Sequence, residues 1–182
     1  MSRMRLPKGP TLITAPGETY WTTSLGSTVI ISRIASPAQR MNFETRLPSC
    51  VEVGLEGWER VHSQGAGTGH ESAQGIFYAP PHVNQVLQNH GIEQFIRHLY
   101  LQKGDHVDLY LITETRGHGG TKRLRDIVYE IWAAPRGTSL DLVRERGNVL
   151  FDVEIWVENT RDNPKVGYTA TQRSHELDKF LK

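Results

Sequence analysis

The sequence contains a single cysteine, Cys50, among its 182 residues. One thiol excludes an internal disulfide and any zinc site built from several cysteines. Long hydrophobic runs are also missing, since none approaches the roughly 20 apolar residues that a membrane-spanning helix requires. The first residues lead into Pro7 and Pro10 without an apolar stretch. The sequence therefore predicts no signal peptide, export only as part of a larger carrier, and action in a cytosolic compartment.

An excess of charge of one sign is absent as well. The chain has 21 lysines and arginines against 20 aspartates and glutamates, which gives a net charge of +1. A protein that coats DNA needs a broad basic surface, and this composition argues against one, whereas an enzyme needs only a few local cations. The apolar fraction of 37% is typical of a folded globular domain. Eight histidines are many for this length, and their clustering calls for an explanation.

The first part of the chain is predicted to hold strands, a flexible loop and one helix. Residues 11–15 and 27–34 are predicted strands, the second because it is rich in β-branched residues. Residues 63–72 contain too many glycines for a regular element. A helix is predicted to begin at Pro80-Pro81 and to end at Gly104, with an apolar stripe that is interrupted near Gly91.

The second part of the chain is predicted to be β structure. Four alternating or β-branched runs are predicted strands, at residues 107–113, 125–132, 149–158 and 165–171. A long hairpin loop is predicted at residues 117–120. The order predicts an α+β fold with N-terminal strands, a glycine-rich loop, one main amphipathic helix and then antiparallel β-hairpins or a meander. Residues 11–182 are predicted to form one domain, preceded by residues 1–10 as a linker or as residues added for expression.

Polar side chains that could carry chemistry concentrate between Trp58 and Glu93. They are Glu59, Arg60 and His62, then His70 and Glu71 in the glycine-rich loop, and then Asn84, Gln85, Gln88, Asn89 and His90 near the helix start. This unit contains potential bases, cations and oxygen ligands. Its glycines allow the backbone to approach a ligand closely, because no side chain holds the ligand away.

Several motifs resemble the C-terminal toxin modules of bacterial Rhs and related polymorphic toxins. They are Leu47-Pro48-Ser49-Cys50-Val51-Glu52-Val53-Gly54, Gly57-Trp58-Glu59-Arg60-Val61-His62-Ser63-Gln64-Gly65, Gly75-Ile76-Phe77-Tyr78-Ala79-Pro80, Val83-Asn84-Gln85 and Gly91-Ile92-Glu93-Gln94-Phe95-Ile96-Arg97. The resemblance covers about Arg46 to Trp132. It implies an antibacterial effector that is delivered as part of a larger toxin, commonly by type VI secretion, and that acts in the cytoplasm of the target cell. It also implies a cognate immunity protein that protects the producer.

A narrower resemblance bears on mechanism. The order Arg-x-His, glycine-rich loop, Asn at a helix start and Glu later in that helix is similar to ββα-metal nucleases of the HNH and endonuclease VII group. That resemblance implies His62 as the general base, Arg60 as the phosphate contact, and Asn84 and Glu93 as ligands of one Mg²⁺, with His70 as a second catalytic or ligand candidate. Imidazole titrates near neutrality, and a hard cation takes oxygen ligands, so these residue types suit hydrolysis of DNA or RNA.

The match departs from the nuclease pattern at three points. Glu59 begins the motif where Asp is usual, and the second Asn of the pattern is missing. Asn84 and Glu93 are nine residues apart, which places them on opposite sides of an ideal helix. A helix break at Gly91 would bring them together, or Asn89 would replace Asn84 as the partner of Glu93.

Three other functions fit parts of the sequence. An ADP-ribosyltransferase or NAD-consuming toxin would use Thr22-Thr23-Ser24 together with Glu154 or Glu158 on a late strand. A metal-independent RNase would use His62 and His70 as base and acid, with Arg60 stabilising charge. A binding module would use the same loop and helix to contact a partner protein. Structural roles compete with each assignment, because Asn84 is suited to a helix cap and Trp58 to the core.

Overall fold

The computed structural model of the protein describes residues 18–22, 27–37, 48–69 and 75–182. Its main feature is a six-stranded antiparallel sheet. From one edge to the other, the strands are β1 (Glu18–Thr22), β2 (Thr28–Arg33), β5 (Val107–Gly117), β6 (Leu124–Pro135), β7 (Asn148–Val157) and β8 (Val166–Gln172). Strands β5 to β8 form a meander, as the sequence predicts. The α+β fold class is confirmed.

The N-terminal strands differ in part from the prediction. The predicted strand at residues 27–34 is β2, which pairs with β5 from Thr28↔Thr115 to Arg33↔Tyr110. Strand β1 was not predicted, and it occupies the edge of the sheet beside β2. The strand predicted at residues 11–15 lies outside the described residues.

A separate two-stranded hairpin, β3 (Glu59–His62) and β4 (Ile76–Ala79), packs beside the main sheet. Glu59 pairs with Ala79, and His62 pairs with Ile76. Tyr78 joins this hairpin to the main sheet, because its backbone N–H donates to the carbonyl of Lys122 at 2.8 Å. Neither strand was predicted, since each has only four residues and neither shows a clear alternation of polar and apolar side chains.

The main helix follows β4, and most of its first part is π-helical. The π-helical segment runs over Val83–Ile92 and continues without a break as helix α1 (Glu93–Gln102). The backbone N–H of Glu93 bonds to the carbonyl of Gln88, five residues back. Gly91 therefore does not break the helix. The i→i+5 pattern winds more residues into each turn than an α-helix does, and such segments often lie at functional sites.

The core lies on both faces of the sheet. The larger cluster joins the helix to one face through Val83, Ile92, Ile96 and Leu99, all of them buried. A smaller cluster on the other face surrounds Trp132 and includes Val143 of the short helix α2 (Val143–Arg146). None of the helices described is long and apolar enough to cross a membrane.

Candidate functional site

The site begins with the carboxylate of Glu59, at the start of strand β3. The side-chain amide of Asn84 donates to one oxygen of Glu59 at 2.8 Å, and the side-chain amide of Gln85 donates to the other oxygen. Asn84 and Gln85 lie in the first turn of the π-helical segment, which Pro80 and Pro81 start directly after β4. The two amides therefore fix the orientation of the Glu59 carboxylate.

Arg60 follows Glu59 in strand β3, and its side chain is held by the segment before the strand. Its Nε donates to the carbonyl oxygen of Pro48 at 3.3 Å, and the hydroxyl of Tyr78 donates to that oxygen at 2.6 Å. Burial raises the pKa of the Tyr78 hydroxyl above its usual value, although the nearby Arg60 guanidinium acts in the opposite direction. Tyr78 consequently stays protonated and keeps donating to Pro48, so the segment before β3 is tied to β4 beside Arg60.

These side chains surround a pocket of about 500 Å³, referred to here as the Glu59 pocket. Its lining consists of Ser49, Cys50, Trp58, Glu59, Arg60, Asn84 and Gln85. Successive side chains of a strand point to opposite faces, so a pocket that holds both Glu59 and Arg60 must lie along the edge of β3. Within the described part of the chain, that edge pairs with no strand, because β3 pairs only with β4.

The Glu59 pocket has one fixed acid, one fixed cation and one thiol. Burial raises the pKa of the Cys50 thiol, and the opposing effect of the Arg60 guanidinium is smaller. The thiol is therefore mainly protonated at neutral pH. The volume suits a nucleotide-sized ligand, and the adjacent Glu59 and Arg60 can accept a proton and bind an anion, respectively.

His62 lies at the far end of β3 and does not line the Glu59 pocket. It lies three positions after Glu59 on the strand, which corresponds to about 10 Å. Its backbone carbonyl accepts a hydrogen bond at 2.8 Å from the side-chain amide of Gln88, which also donates to the hydroxyl of Tyr129 at 2.8 Å. The Nε2 atom of the His62 ring is buried. Gln88 of the helix therefore holds the His62 backbone and also joins the helix to β6.

Glu93 is directed toward the glycine-rich loop. A side chain at Gly65 or Gly67 would collide with its carboxylate, so the absence of side chains at these two positions lets the loop close on the helix. Asn89, the alternative partner of Glu93, is half-buried in the π-helical segment and does not line the Glu59 pocket. His70 and Glu71 lie outside the described residues.

The residues that the nuclease resemblance assigns to Mg²⁺ contact different parts of the molecule. Asn84 uses its amide to bind Glu59, whereas Glu93 faces Gly65 and Gly67. Across the described ranges, no group of three or more His, Cys, Asp or Glu side chains is arranged to hold a metal ion. This arrangement of Asn84 and Glu93 does not fit one shared Mg²⁺ ion.

Sequence reasoning did not bring together Gln85, Ser49 and Cys50 as neighbours of Glu59. The sequence signal for Gln85 was its position beside Asn84, shortly after Pro80-Pro81. Their shared acceptor, the Glu59 carboxylate, is identified only from the packing of the helix against β3. The carboxylates suggested for an NAD-consuming toxin lie elsewhere. Glu158 accepts a hydrogen bond from the backbone N–H of Lys165 at 3.1 Å, and Glu154 lies on β7. Neither lines the Glu59 pocket.

Comparison with known proteins identifies a toxin family. A sequence model of Bacterial toxin 4 (Ntox4) matches residues 55–171, nearly two thirds of the chain. The match includes strands β3 to β7 and most of β8, and it extends beyond the earlier resemblance, which ended at Trp132. Neither the curated proteins nor the solved structures gave a match. Because the match covers well over half of the chain and contains Trp58, Glu59, Arg60, Asn84 and Gln85, the protein belongs to the Bacterial toxin 4 family.

Proposed function

We propose that this toxin cleaves RNA without a metal ion, by a phosphoryl transfer in the Glu59 pocket. The observation that carries the proposal is the Glu59 carboxylate, which the amides of Asn84 and Gln85 hold beside Arg60 in a pocket of about 500 Å³. A fixed carboxylate next to a guanidinium provides a base and an anion-binding group within one nucleotide's length. RNA supplies the nucleophile itself, in the form of the ribose 2′-hydroxyl.

In the proposed reaction, the Glu59 carboxylate takes the proton of the 2′-hydroxyl while its oxygen attacks the adjacent phosphorus. The new O2′–P bond forms as the P–O5′ bond breaks, and the leaving 5′-oxygen takes a proton from solvent water. The products are a 2′,3′-cyclic phosphate and a 5′-hydroxyl end. Glu59 then returns its proton to solvent, so no oxidant, reductant or metal is consumed.

Arg60 stabilises the charge that develops on the phosphate during this step. Arg60 lines the Glu59 pocket, and the bond from its Nε to the Pro48 carbonyl holds the guanidinium beside Glu59. Planar guanidinium groups bind phosphate oxygens through paired hydrogen bonds, and a positioned cation is most effective where charge develops. Asn84 and Gln85 act as positioning residues, because they contact Glu59 and hold its carboxylate in place.

The delivery of the toxin and its partners follow from the resemblance to Rhs-type modules, which supports the same proposal. The domain would reach the cytoplasm of a rival cell as part of a larger Rhs carrier, commonly through type VI secretion. The producing cell would contain an immunity protein against it. RNA is a suitable target for such a toxin, since cleavage of RNA in the recipient stops protein synthesis without entry into any further compartment.

The first test is cleavage of total RNA by the purified protein in excess EDTA, with plasmid DNA as the parallel substrate. We expect wild-type protein to cleave RNA and leave DNA intact. Glu59→Gln, which keeps the size of the side chain and removes its basicity, should lower the rate by about 10² to 10⁴. Glu145→Gln is the matched control, because Glu145 is exposed on helix α2, outside the Glu59 pocket. A folded Glu59→Gln protein with wild-type activity would overturn the assignment of the base.

A metal-dependent nuclease is the second candidate, and one observation favours it. Hairpin β3–β4 is followed directly by a helix with Asn84 in its first turn, which is the order of elements in the ββα-metal pattern. This candidate assigns the base to His62 and one Mg²⁺ to Asn84 and Glu93. It predicts cleavage that EDTA stops and that His62→Ala abolishes in a folded protein, whereas the RNase proposal predicts cleavage in EDTA that depends on Glu59.

A further inference from the structure

A second pocket, of about 700 Å³, adjoins the Glu59 pocket. It is lined by three segments of the chain, at residues 56–58, 80–82 and 161–164, and by Val166. Trp58 lines both pockets and therefore stands at their junction. Residues 55–171 match the family, so this second pocket belongs entirely to the part of the chain that defines the family.

One wall of the second pocket is the tip of the β7–β8 hairpin, which several contacts hold in place. The backbone N–H of Glu158 donates to the carbonyl of Lys165 at 2.8 Å, and the N–H of Lys165 donates to the Glu158 carboxylate at 3.1 Å. Arg123 donates to the side-chain oxygen of Asn159 at 2.6 Å. Asn163 has a φ of +47°, a left-handed conformation that Asn tolerates better than most residues, and Pro164 follows it. These contacts therefore fix the conformation of the turn that forms this wall.

Trp58 has the properties of a stacking platform in this position. It is half-buried and packs against the larger core cluster, which fixes the ring, while its remaining surface faces the two pockets. An indole that is anchored on one side loses little conformational freedom when a flat ligand stacks on the other side. Nucleic-acid bases stack on such rings whatever their identity, because every base has a π-face.

The two carboxylates that line the second pocket favour a nucleobase over a phosphate as its ligand. Glu56 and Asp162 both line the pocket, and their carboxylates repel phosphate but accept hydrogen bonds from base N–H groups. Arg161 is exposed, and no carboxylate among residues 27–37, 48–69 and 75–182 forms an ion pair with it. A Cβ placed on Gly54 would lie 3.7 Å from its Nη1 atom, so Arg161 stands beside the turn that leads from Cys50 to Trp58. Arg161 also lines the second pocket, and its guanidinium can contact the backbone phosphate of a nucleotide bound there.

We infer that the second pocket binds the base of the nucleotide next to the cleaved bond, and that the substrate is single-stranded RNA that spans both pockets. This inference rests on the proposed RNA cleavage and deepens it. The base stacks on Trp58, its N–H groups meet Glu56 or Asp162, and Arg161 contacts the connecting phosphate. A duplex does not fit this arrangement, because its bases are already stacked on one another and cannot enter a side pocket.

The test measures binding separately from cleavage. Fluorescein-labelled RNA hexamers of mixed sequence, with 2′-O-methyl groups that prevent attack, are titrated with protein and followed by fluorescence anisotropy. Trp58→Leu, which keeps apolar packing and removes the aromatic face, should weaken binding of the hexamer about tenfold. Trp156→Leu is the matched control, because Trp156 is 42% exposed on β7 and lines neither pocket. Arg161→Gln changes an exposed residue and should weaken hexamer binding and reduce its salt dependence.

The outcomes separate the two proposals. If wild-type protein binds the hexamer in a Trp58-dependent way and prefers it to a duplex, the second pocket is supported even when Glu59→Gln shows no effect on cleavage. Suppose instead that cleavage depends on Glu59 but that Trp58→Leu and Arg161→Gln bind the hexamer like wild type and like the Trp156→Leu control. The inference about the second pocket is then overturned, and the RNase proposal stands. Failure of wild-type protein to bind the hexamer also overturns the inference.

Discussion

At the residue scale, a buried amide attaches the glycine-rich loop to the main sheet. Gln64 is fully buried, and its side-chain oxygen accepts a hydrogen bond from the hydroxyl of Ser32. Its side-chain nitrogen faces the carbonyls of Ile30 at 3.3 Å and Leu111 at 3.2 Å, and the hydroxyl of Thr113 at 3.3 Å. A polar group without exposure is stable only when it is hydrogen-bonded, so this one side chain specifies where the loop meets β2 and β5.

We therefore expect Gln64→Leu to lower the free energy of unfolding by about 2–3 kcal/mol, because it leaves buried acceptors and a hydroxyl without their partner. Urea denaturation followed by circular dichroism measures the change. Gln94→Leu provides the control, since Gln94 is exposed on helix α1 and should change stability by less than about 0.5 kcal/mol. Equal losses for the two variants would show that the Gln64 network does not determine the loop position.

Residue identity alone predicted the ingredients of the site better than their arrangement. Glu59, Arg60 and Asn84 were all singled out from the sequence, but the sequence assigned Asn84 to a metal, and the structure shows its amide donating to Glu59. That bond joins residues 25 positions apart. No local pattern encodes it, because it depends on how the helix start packs against an edge strand. Ser49 and Cys50 also reach the pocket through tertiary packing, so no local sequence pattern predicts that they line it.

At the scale of elements, the long strands were predictable and the short ones were not. Strands β2 and β5 to β8 carry β-branched runs or alternating apolar residues, so the pattern of side chains on the two faces identifies them. Strands β3 and β4 have four residues each, and all four residues of β4 are buried, so neither shows a period. The π-helical winding over Val83–Ile92 has no sequence signal either, because the same apolar stripe serves an α-helix.

The hairpin turn between β5 and β6 gives a prediction at the element scale. A Cβ on Gly117 would overlap the carbonyl oxygen of Thr121 and would approach the Phe77 ring to 3.2 Å. The obstacle on one side is backbone, so the turn itself must move, and we expect Gly117→Ala to cost about 2–3 kcal/mol of stability. Thermal unfolding should show a Tm several degrees below that of wild type.

Gly119, two residues further on, is the comparison within the same turn. It has a φ of +57° and no atom within 4 Å of an added Cβ, so Gly119→Ala should cost only about 1 kcal/mol, from backbone strain. A larger loss at Gly119 than at Gly117 would mean that conformational strain, and not the close approach of the Thr121 carbonyl, controls the turn.

At the scale of the whole molecule, the main sheet separates the two pockets from the smaller core cluster around Trp132. Hairpin β3–β4, the main helix and both pockets lie on the side of the larger core cluster, and helix α2 covers part of the other face.

The response of the whole fold to Mg²⁺ distinguishes the two nuclease proposals without an activity assay. A ligand that binds only the folded state stabilises it by about 2.7 kcal/mol at a concentration 100 times its Kd, which corresponds to roughly 5–10 °C in Tm for a chain of this size. Because Asn84 and Glu93 contact different partners, we expect 5 mM MgCl₂ and 5 mM EDTA at matched ionic strength to give the same Tm within about 1 °C. The opposite result would be a Tm several degrees higher in Mg²⁺, lost in Asn84→Ala but kept in the control Asn148→Ala, at the exposed start of β7. That result would establish a metal site at the helix start and would favour the metal-dependent nuclease.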